Sequence, residues 1–263
     1  MSHTHRAVDS GVLTLTFTRD EKLNALSAEM MEALRVAIDD LEERADLRVL
    51  VIAAEGRYFS AGIDIAAIDL GEASASGEAA SGIEFRRFYR RRHALYDRIE
   101  QIEKPVVLAV QGPCRGIAVE FGVSCDFRLC SPEASFALPE VANLSVIPGS
   151  GGISRLTRLV GPHWARWMAL AGCTVTAERA LMIGLVHEIF PAVDFQREVQ
   201  SFAQRLASLP PEAVGLAKLT IDAAAAVDRG TARDVDRIAN TILVSSAEHQ
   251  ARIDAFNRGV DRT

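Results

Sequence analysis

The chain has 263 residues, of which 49% are hydrophobic and 24% are charged. This length is sufficient for a large buried core in one or two domains, and the composition argues against long disordered segments. The net charge of −6 gives no general attraction to nucleic acid or to an anionic membrane. Composition and charge therefore favour a globular protein that binds neither of them.

The sequence shows none of the patterns that predict a membrane span, a secretory signal or a metal site. No apolar run approaches the ~20 residues of a spanning helix, and the polar start Met1–Gly11 lacks the apolar core of a secretory signal. The four cysteines form no CxxC pair, which favours reduced, buried thiols in a cytoplasmic protein. The six histidines have no metal-ligand spacing, so we predict no metal site.

The first elements predict a βαβ unit. Residues 12–18 alternate apolar side chains with threonines, as in a strand with one buried face. Ser27 is the predicted N-cap of a following helix, and residues 48–54 form the apolar run of a strand covered on both faces. The apolar face of the helix is predicted to comprise Met31, Leu34, Ile38 and Leu41.

The rest of the chain continues this α/β pattern and then becomes helical. A loop at 54–66 and a mobile surface segment at 71–82 precede a helix over 83–102. The next predicted elements are a strand at 105–110, a helix at 117–124 and a strand at 126–130. Helices follow at 150–159, 162–171, 177–183, 195–208, 211–227 and 231–257. The pattern predicts an α/β core with a helical C-terminal part.

Three stretches place small residues or a carboxylate near the ends of predicted strands, where α/β folds usually bind ligands. These stretches are 59–64, 110–120 and 136–140. Gly62 allows a sharp turn that directs the amide of Ile63 into a cleft. Gly116 begins a helix whose N-terminus offers free N–H groups, and Glu120 lies one turn further along. Each feature alone is more often structural than catalytic, so their order along the chain carries the argument.

In that order the segments resemble the crotonase family, the enoyl-CoA hydratase/isomerase superfamily, over roughly residues 10–258. The resembling segments are Lys22–Ser27, Phe59–Ile65, Lys104–Gly112, Glu120, Phe136–Glu140, Ile147–Gly152 and Thr176–Val186. The resemblance implies a spiral of repeated ββα units over 1–195 and a helical trimerisation region over 196–263. It also implies a homotrimer or a hexamer (a dimer of trimers), acyl-CoA thioester substrates, and no metal or redox cofactor.

The resemblance also implies roles for individual residues. Ile63 and Gly116 match the positions whose backbone amides form an oxyanion hole, and Glu120 and Glu140 match the two catalytic glutamates of the hydratases. One carboxylate would activate water for attack at C3, while the other would handle the proton at C2. The loop expected to contact the substrate comprises Ser60, Ala61, Gly62, Asp64 and Ile65.

Two departures from the family pattern affect this assignment. Ile63 replaces a smaller residue, which would narrow the acyl pocket while keeping the amide. Glu140 and Pro148 are eight residues apart, whereas the family usually has seven. Alignment from Phe136 leaves Glu140 in the catalytic place, but alignment from Ile147 would put Val141 there. We prefer Glu140, because a loop accommodates one extra residue.

These residues predict hydration of a trans-2-enoyl-CoA. A double-bond isomerase, which needs only one carboxylate, remains an alternative, as do hydrolysis and dehalogenation of other acyl-CoA thioesters. A non-catalytic acyl-CoA binder is a further alternative, although it would have little reason to keep Glu120 in apolar surroundings. The basic run at 85–93 is predicted to be a solvated face; contact with CoA phosphates is the second interpretation and nucleic-acid binding a distant third.

Overall fold

The computed structural model describes residues 2–65 and 82–259. Its strands are β1 (Thr4–Asp9), β2 (Val12–Phe17), β3 (Val49–Ala54), β4 (Val106–Val110), β5 (Pro113–Arg115), β6 (Phe127–Cys130), β7 (Ser135–Ala137), β8 (Val175–Thr176) and β9 (Glu188–Ile189). Within these residues one sheet has the order β1-β2-β3-β4-β6-β9, and a smaller sheet has the order β5-β7-β8. The strands from β2 to β9 in the large sheet pair in parallel, and only β1 is antiparallel to its neighbour.

Helices surround and follow these sheets. They are α1 (Ala28–Glu43), α2 (Gly82–Gln101), α3 (Ile117–Gly122), α4 (Glu140–Leu144), α5 (Gly152–Ala165), α6 (Ala177–Met182), α7 (Phe195–Ala207), α8 (Pro211–Ala226), α9 (Arg229–Val244) and α10 (Ala247–Asn257). Gly161, at φ +74°, produces a kink inside α5, and this explains why the sequence pattern predicted two helices there. None of the helices in the described ranges combines the length and apolar character that a transmembrane span requires.

The large sheet is covered on both faces, as the apolar sequences of β3 and β4 predicted. One face packs against α7 through Phe195, Val199 and Ala203. The other side contributes an aromatic cluster in which Phe17 and Phe59 have ring centroids 6.0 Å apart. This rigid sheet positions the loops that follow its strands.

The prediction for the first βαβ unit is confirmed with one correction. The Ser27 side chain accepts a hydrogen bond from the Met30 amide at 3.3 Å, as an N-cap should. The buried face of α1 begins with Met30, however, and Met31 is only partly buried. The two methionines are adjacent, so the helical period alone allowed either one to start the stripe.

Other elements differ from the prediction. The interval 231–257 holds two helices, α9 and α10, because Ser246 interrupts the first and caps the second through the His249 amide. Strand β1 was not predicted because its side chains are mostly exposed, and β5, β7 and α4 are too short to show periodicity. The predicted mobile segment 71–82 lies outside the described residues, except for Gly82 at the start of α2.

Contacts divide the chain into two compact units. The first comprises the described parts of Met1–Glu100 and Pro105–Ala207, and the second comprises Gln101–Lys104 and the described part of Ser208–Thr263. We expected the division between residues 195 and 196, which would have placed α7 in the C-terminal region. Helix α7 instead belongs to the first unit, because its apolar stripe packs on the large sheet.

Candidate active site

A cavity of about 400 Å³ in the first unit brings the candidate residues together. The loop after β3, the start of α3, the start of α4 and one face of α2 form its walls. Ile63, Gly116, Glu120 and Glu140 all line this cavity, together with Tyr89 from α2. The remaining lining is largely apolar, so charges that enter the cavity are poorly solvated.

Two glycines allow the two loops to approach each other. Gly62 has φ +103° and Gly116 has φ +56°, both in the region that favours glycine. A Cβ atom on Gly62 would lie 3.3 Å from the Arg115 carbonyl oxygen, and one on Gly116 would lie 3.8 Å from the Gly62 Cα. The backbone segments that follow these glycines therefore form one wall of the cavity.

The amides available on this wall belong to Ile63 and Ile117. The Gly116 N–H donates to the Ala137 carbonyl at 3.0 Å, so the predicted oxyanion role of Gly116 is wrong for this amide. Within residues 2–65 and 82–259, neither Ile63 nor Ile117 donates its N–H to a protein acceptor. Ile117 is the first residue of α3, and first-turn amides have no acceptor within the helix. Both amides are thus free to bind an oxygen atom.

Ile117 was missed although the sequence carried the necessary signal. In both loops the free amide directly follows a glycine with positive φ, whereas the family resemblance assigns the role in the second loop to Gly116 itself. The acceptor that engages the Gly116 amide belongs to β7, which is too short to be predicted. Without that strand, the position directly after a glycine was the one sequence signal that favoured Ile117 over Gly116.

Glu120 is a buried carboxylate held by two backbone donors. Its Oε2 accepts hydrogen bonds from the Ser150 amide at 2.7 Å and from the Gly152 amide at 3.2 Å. Burial, with a smaller contribution from the charge of Glu140, raises the pKa of Glu120 to about 7 against the lowering effect of these two hydrogen bonds. Glu120 therefore exchanges its proton near neutral pH, as a general acid or base must.

Glu140 reaches the same cavity from the first position of α4. A Cβ atom added to Gly116 would lie 2.9 Å from its Oε1, so the carboxylate lies directly over that loop. Its Oε2 is buried and has no hydrogen-bond partner among the described residues. Burial raises the pKa of Glu140. Val141 does not line the cavity, which agrees with the alignment that assigns Glu140 to the site.

Comparison with known proteins assigns the family. The model of the enoyl-CoA hydratase/isomerase family matches residues 7–259. The chain belongs to this family. The short-chain-enoyl-CoA hydratase of Clostridium acetobutylicum is 31% identical over 226 residues, covering 86% of this chain and 80% of that protein. The 4-chlorobenzoyl coenzyme A dehalogenase-2 of an Arthrobacter species is 33% identical over 208 residues, covering 79% and 73%.

A solved structure of the same family confirms the fold. The crystal structure of enoyl-CoA hydratase from Bacillus anthracis matches this chain with a TM-score of 0.88 and 26% identity. The match covers 98% of this chain and 96% of that one. The predicted crotonase-type α/β fold is therefore confirmed, and the protein is an enzyme of the enoyl-CoA hydratase/isomerase family.

Only part of the predicted substrate loop lines the cavity. Ala61, Gly62 and Ile65 line the cavity, but Ser60 and Asp64 do not. The Ser60 hydroxyl is fully buried, donates to the Asn24 carbonyl at 2.8 Å and accepts from the Gly62 amide at 3.1 Å. Asp64 forms an ion pair with Arg19 at 2.7 Å. These two residues hold the loop in place and do not face the cavity.

Tyr89 is a cavity residue that the sequence did not suggest. Burial raises the pKa of its hydroxyl, and the charges of Glu120 and Glu140 add to the effect. Tyr89 therefore remains a protonated hydrogen-bond donor at neutral pH. The run at 85–93 holds several arginines and aromatic residues, and its sequence does not indicate which aromatic ring faces the cavity.

Among the described residues, no group of three or more His, Cys, Asp or Glu side chains is placed to hold a metal ion.

Proposed function

We propose that this enzyme hydrates a trans-2-enoyl-CoA thioester, using the amides of Ile63 and Ile117 and the carboxylates of Glu120 and Glu140. The observation that carries the proposal is the convergence of two buried carboxylates and two free amides on one apolar cavity. The chain is similar to two hydratases and a dehalogenase whose names all specify an acyl derivative of coenzyme A, which supports the substrate class.

The amides of Ile63 and Ile117 would bind the thioester oxygen. Addition of water at C3 places negative charge on that oxygen as an enolate forms. Both donors belong to the main chain and are held by the turns at Gly62 and Gly116, so they need no reorganisation during the reaction. One such donor is typically worth ~100–1000-fold in rate.

The surroundings of the glutamates assign their separate roles. The two amides on Glu120 Oε2 stabilise its anionic form, which suits a base that takes a proton from water as the water oxygen bonds to C3. Among the described residues, Glu140 Oε2 has no hydrogen-bond partner, and the carboxylate lies over the loop that presents the Ile117 amide. Its proton would go to C2, the carbon next to the thioester carbonyl. One proton is thus accepted and one delivered for each water added.

Double-bond isomerisation is the competing activity of this site. It requires one carboxylate to remove a proton and return it to another carbon, so a second buried carboxylate would be superfluous. Burying an unneeded carboxylate is costly, and Glu120 is only 4% exposed. This cost favours hydration.

The test follows the loss of the conjugated enoyl-thioester absorbance with crotonyl-CoA and a longer homologue. We expect Glu120→Gln and Glu140→Gln each to reduce kcat by roughly 100–10,000-fold, because each removes one proton-transfer group. Glu43→Gln, at the exposed end of α1, is the matched control and should retain the wild-type rate. Full activity of Glu140→Gln would show that this residue is not the acid. No turnover by the wild-type protein would refute hydration and make 3-enoyl-CoA isomerisation the next assay.

We also propose that the enzyme assembles as a trimer or a dimer of trimers and needs no metal or redox cofactor. The proposed reaction moves only water and protons, so it requires no Lewis acid or electron carrier. Large apolar side chains on α9 and α10 are exposed, which supports self-association: Ile238 at 64%, Ile242 at 51% and Phe256 at 63%. Sedimentation equilibrium should give the mass of three or six chains, and a monomer would contradict the assembly.

A further inference from the structure

A second groove adjoins the active-site cavity on the side of the glutamates. It has a volume of about 850 Å³ and shares part of its wall with the cavity, namely Tyr89, Val146, Ile147 and Gly149. The next residue, Ser150, is the one whose amide binds Glu120. The groove therefore begins beside the carboxylate that faces C3.

The shared boundary is an open rim. Val146 and Ile147 line both spaces, yet they are 47% and 63% exposed. A thioester bound at Ile63 and Ile117 extends in two directions, with CoA on one side and the acyl carbons on the other. Because the glutamates must face C2 and C3, the acyl chain passes them, and its far end is directed towards this rim.

The wall of the groove that α2 forms is cationic. Arg86 and Arg90 lie four residues apart on one face of α2 and line the groove with His93. His93 donates from Nε2 to the Gly149 carbonyl at 3.0 Å, which ties α2 to the shared wall. Among the described residues that line the groove, none is acidic.

The positive charges of Arg86 and Arg90 are not balanced by an acidic side chain of the described residues. Across the described parts of the chain, neither Arg86 nor Arg90 has an ion pair or a side-chain hydrogen bond to an acidic residue. On the same helix, Arg98 pairs with Asp39 at 2.7 Å and with Glu42 at 2.6 Å. The helix therefore neutralises its arginine near the C-terminal end and leaves these two available to an anion.

We propose that the preferred substrate has an acyl chain ending in a carboxylate, which Arg86 and Arg90 bind in this groove. The proposal rests on the proposed function for the direction of the acyl chain, and it names the substrate class of that site. An apolar cavity binds the methylene groups, and the guanidinium groups of the adjoining groove can donate charge-assisted hydrogen bonds to a terminal carboxylate.

The test measures binding without turnover. Dissociation constants are determined by calorimetry for saturated dicarboxylic mono-CoA thioesters of five to eight carbons and for monocarboxylic acyl-CoAs of the same lengths. Each pair differs only at the chain end, so the ratio of their constants reports on the distal group. We expect the wild-type protein to prefer the carboxylate-ended ligand about tenfold at one length, as for a charge-assisted hydrogen bond near solvent.

Matched variants distinguish this role from a general basic surface. The double variant R86Q/R90Q should lose most of that preference, whereas R87Q, exposed on the same helix but outside the groove, should keep it. Equal weakening of both ligands by R86Q/R90Q would mean that the arginines bind CoA phosphates, and this would overturn the proposal. An absence of preference at every chain length in the wild-type protein would also overturn it.

Turnover separates this proposal from the proposed function. Hydration of crotonyl-CoA with no preference for a carboxylate-ended 2-enoyl-CoA would support the proposed function and refute the distal site. A binding preference that R86Q/R90Q removes, in a protein that hydrates no enoyl-CoA, would support the distal site and refute hydration.

Discussion

Replacement of Glu120 by Gln should stabilise the folded protein at alkaline pH. Glu120 is 4% exposed, and burial raises its pKa from 4.5 to about 7. The folded state therefore binds this proton more tightly than the unfolded state does. The contribution of Glu120 to the stability of the wild-type protein should fall as pH rises from about 4.5 to 7 and then level off. At ~1.4 kcal/mol per pKa unit, the total loss is roughly 3 kcal/mol.

The Gln variant should avoid this loss. Its side-chain carbonyl oxygen can accept the same hydrogen bonds from the Ser150 and Gly152 amides, while its uncharged amide group removes the cost of burying a carboxylate. All other titrating groups, including Glu140, are common to both proteins, so a comparison of the two isolates Glu120.

The assay is urea-induced unfolding of both proteins at pH 5 and pH 8, at one protein concentration. The advantage of Glu120→Gln in the free energy of unfolding should grow by about 2–3 kcal/mol between these values. Glu43→Gln serves as the control and should show no comparable change, because Glu43 is exposed. Parallel pH dependences for wild type and Glu120→Gln would refute the reasoning, since the burial of Glu120 would then carry no ionisation cost.

Three further outcomes are expected. If Glu120 is the base, the acidic limb of the kcat/KM profile should have an apparent pKa near 7; a profile without an acidic limb there would contradict that role. Gly116→Ala should lower kcat by roughly 100-fold or more with an unchanged circular dichroism spectrum, because φ is +56° and the new Cβ would lie 2.9 Å from a Glu140 oxygen. Arg155→Met should lower the free energy of unfolding by ~1–3 kcal/mol in denaturant titrations, because this buried side chain pairs with two acidic residues of α2. An unchanged midpoint would show that those pairs contribute nothing.

Local sequence patterns determined much of the fold. The alternation in β2, the apolar runs of β3 and β4, and the capping serine of α1 depend on neighbouring residues, and the structure confirms them. The positive φ of Gly62 and Gly116 likewise follows from local backbone sterics. The family resemblance then identified both glutamates that the structure brings to one cavity.

Tertiary structure alone decided which groups remain free to bind a ligand. The Gly116 amide is engaged by Ala137 and the Ser60 hydroxyl by Asn24, and both acceptors lie on other segments of the chain. The Ile117 amide remains free because it begins α3 and has no acceptor within the helix. A sequence pattern reports backbone preference and burial over a few residues. A hydrogen-bond partner brought in by another segment lies beyond the range of any such pattern.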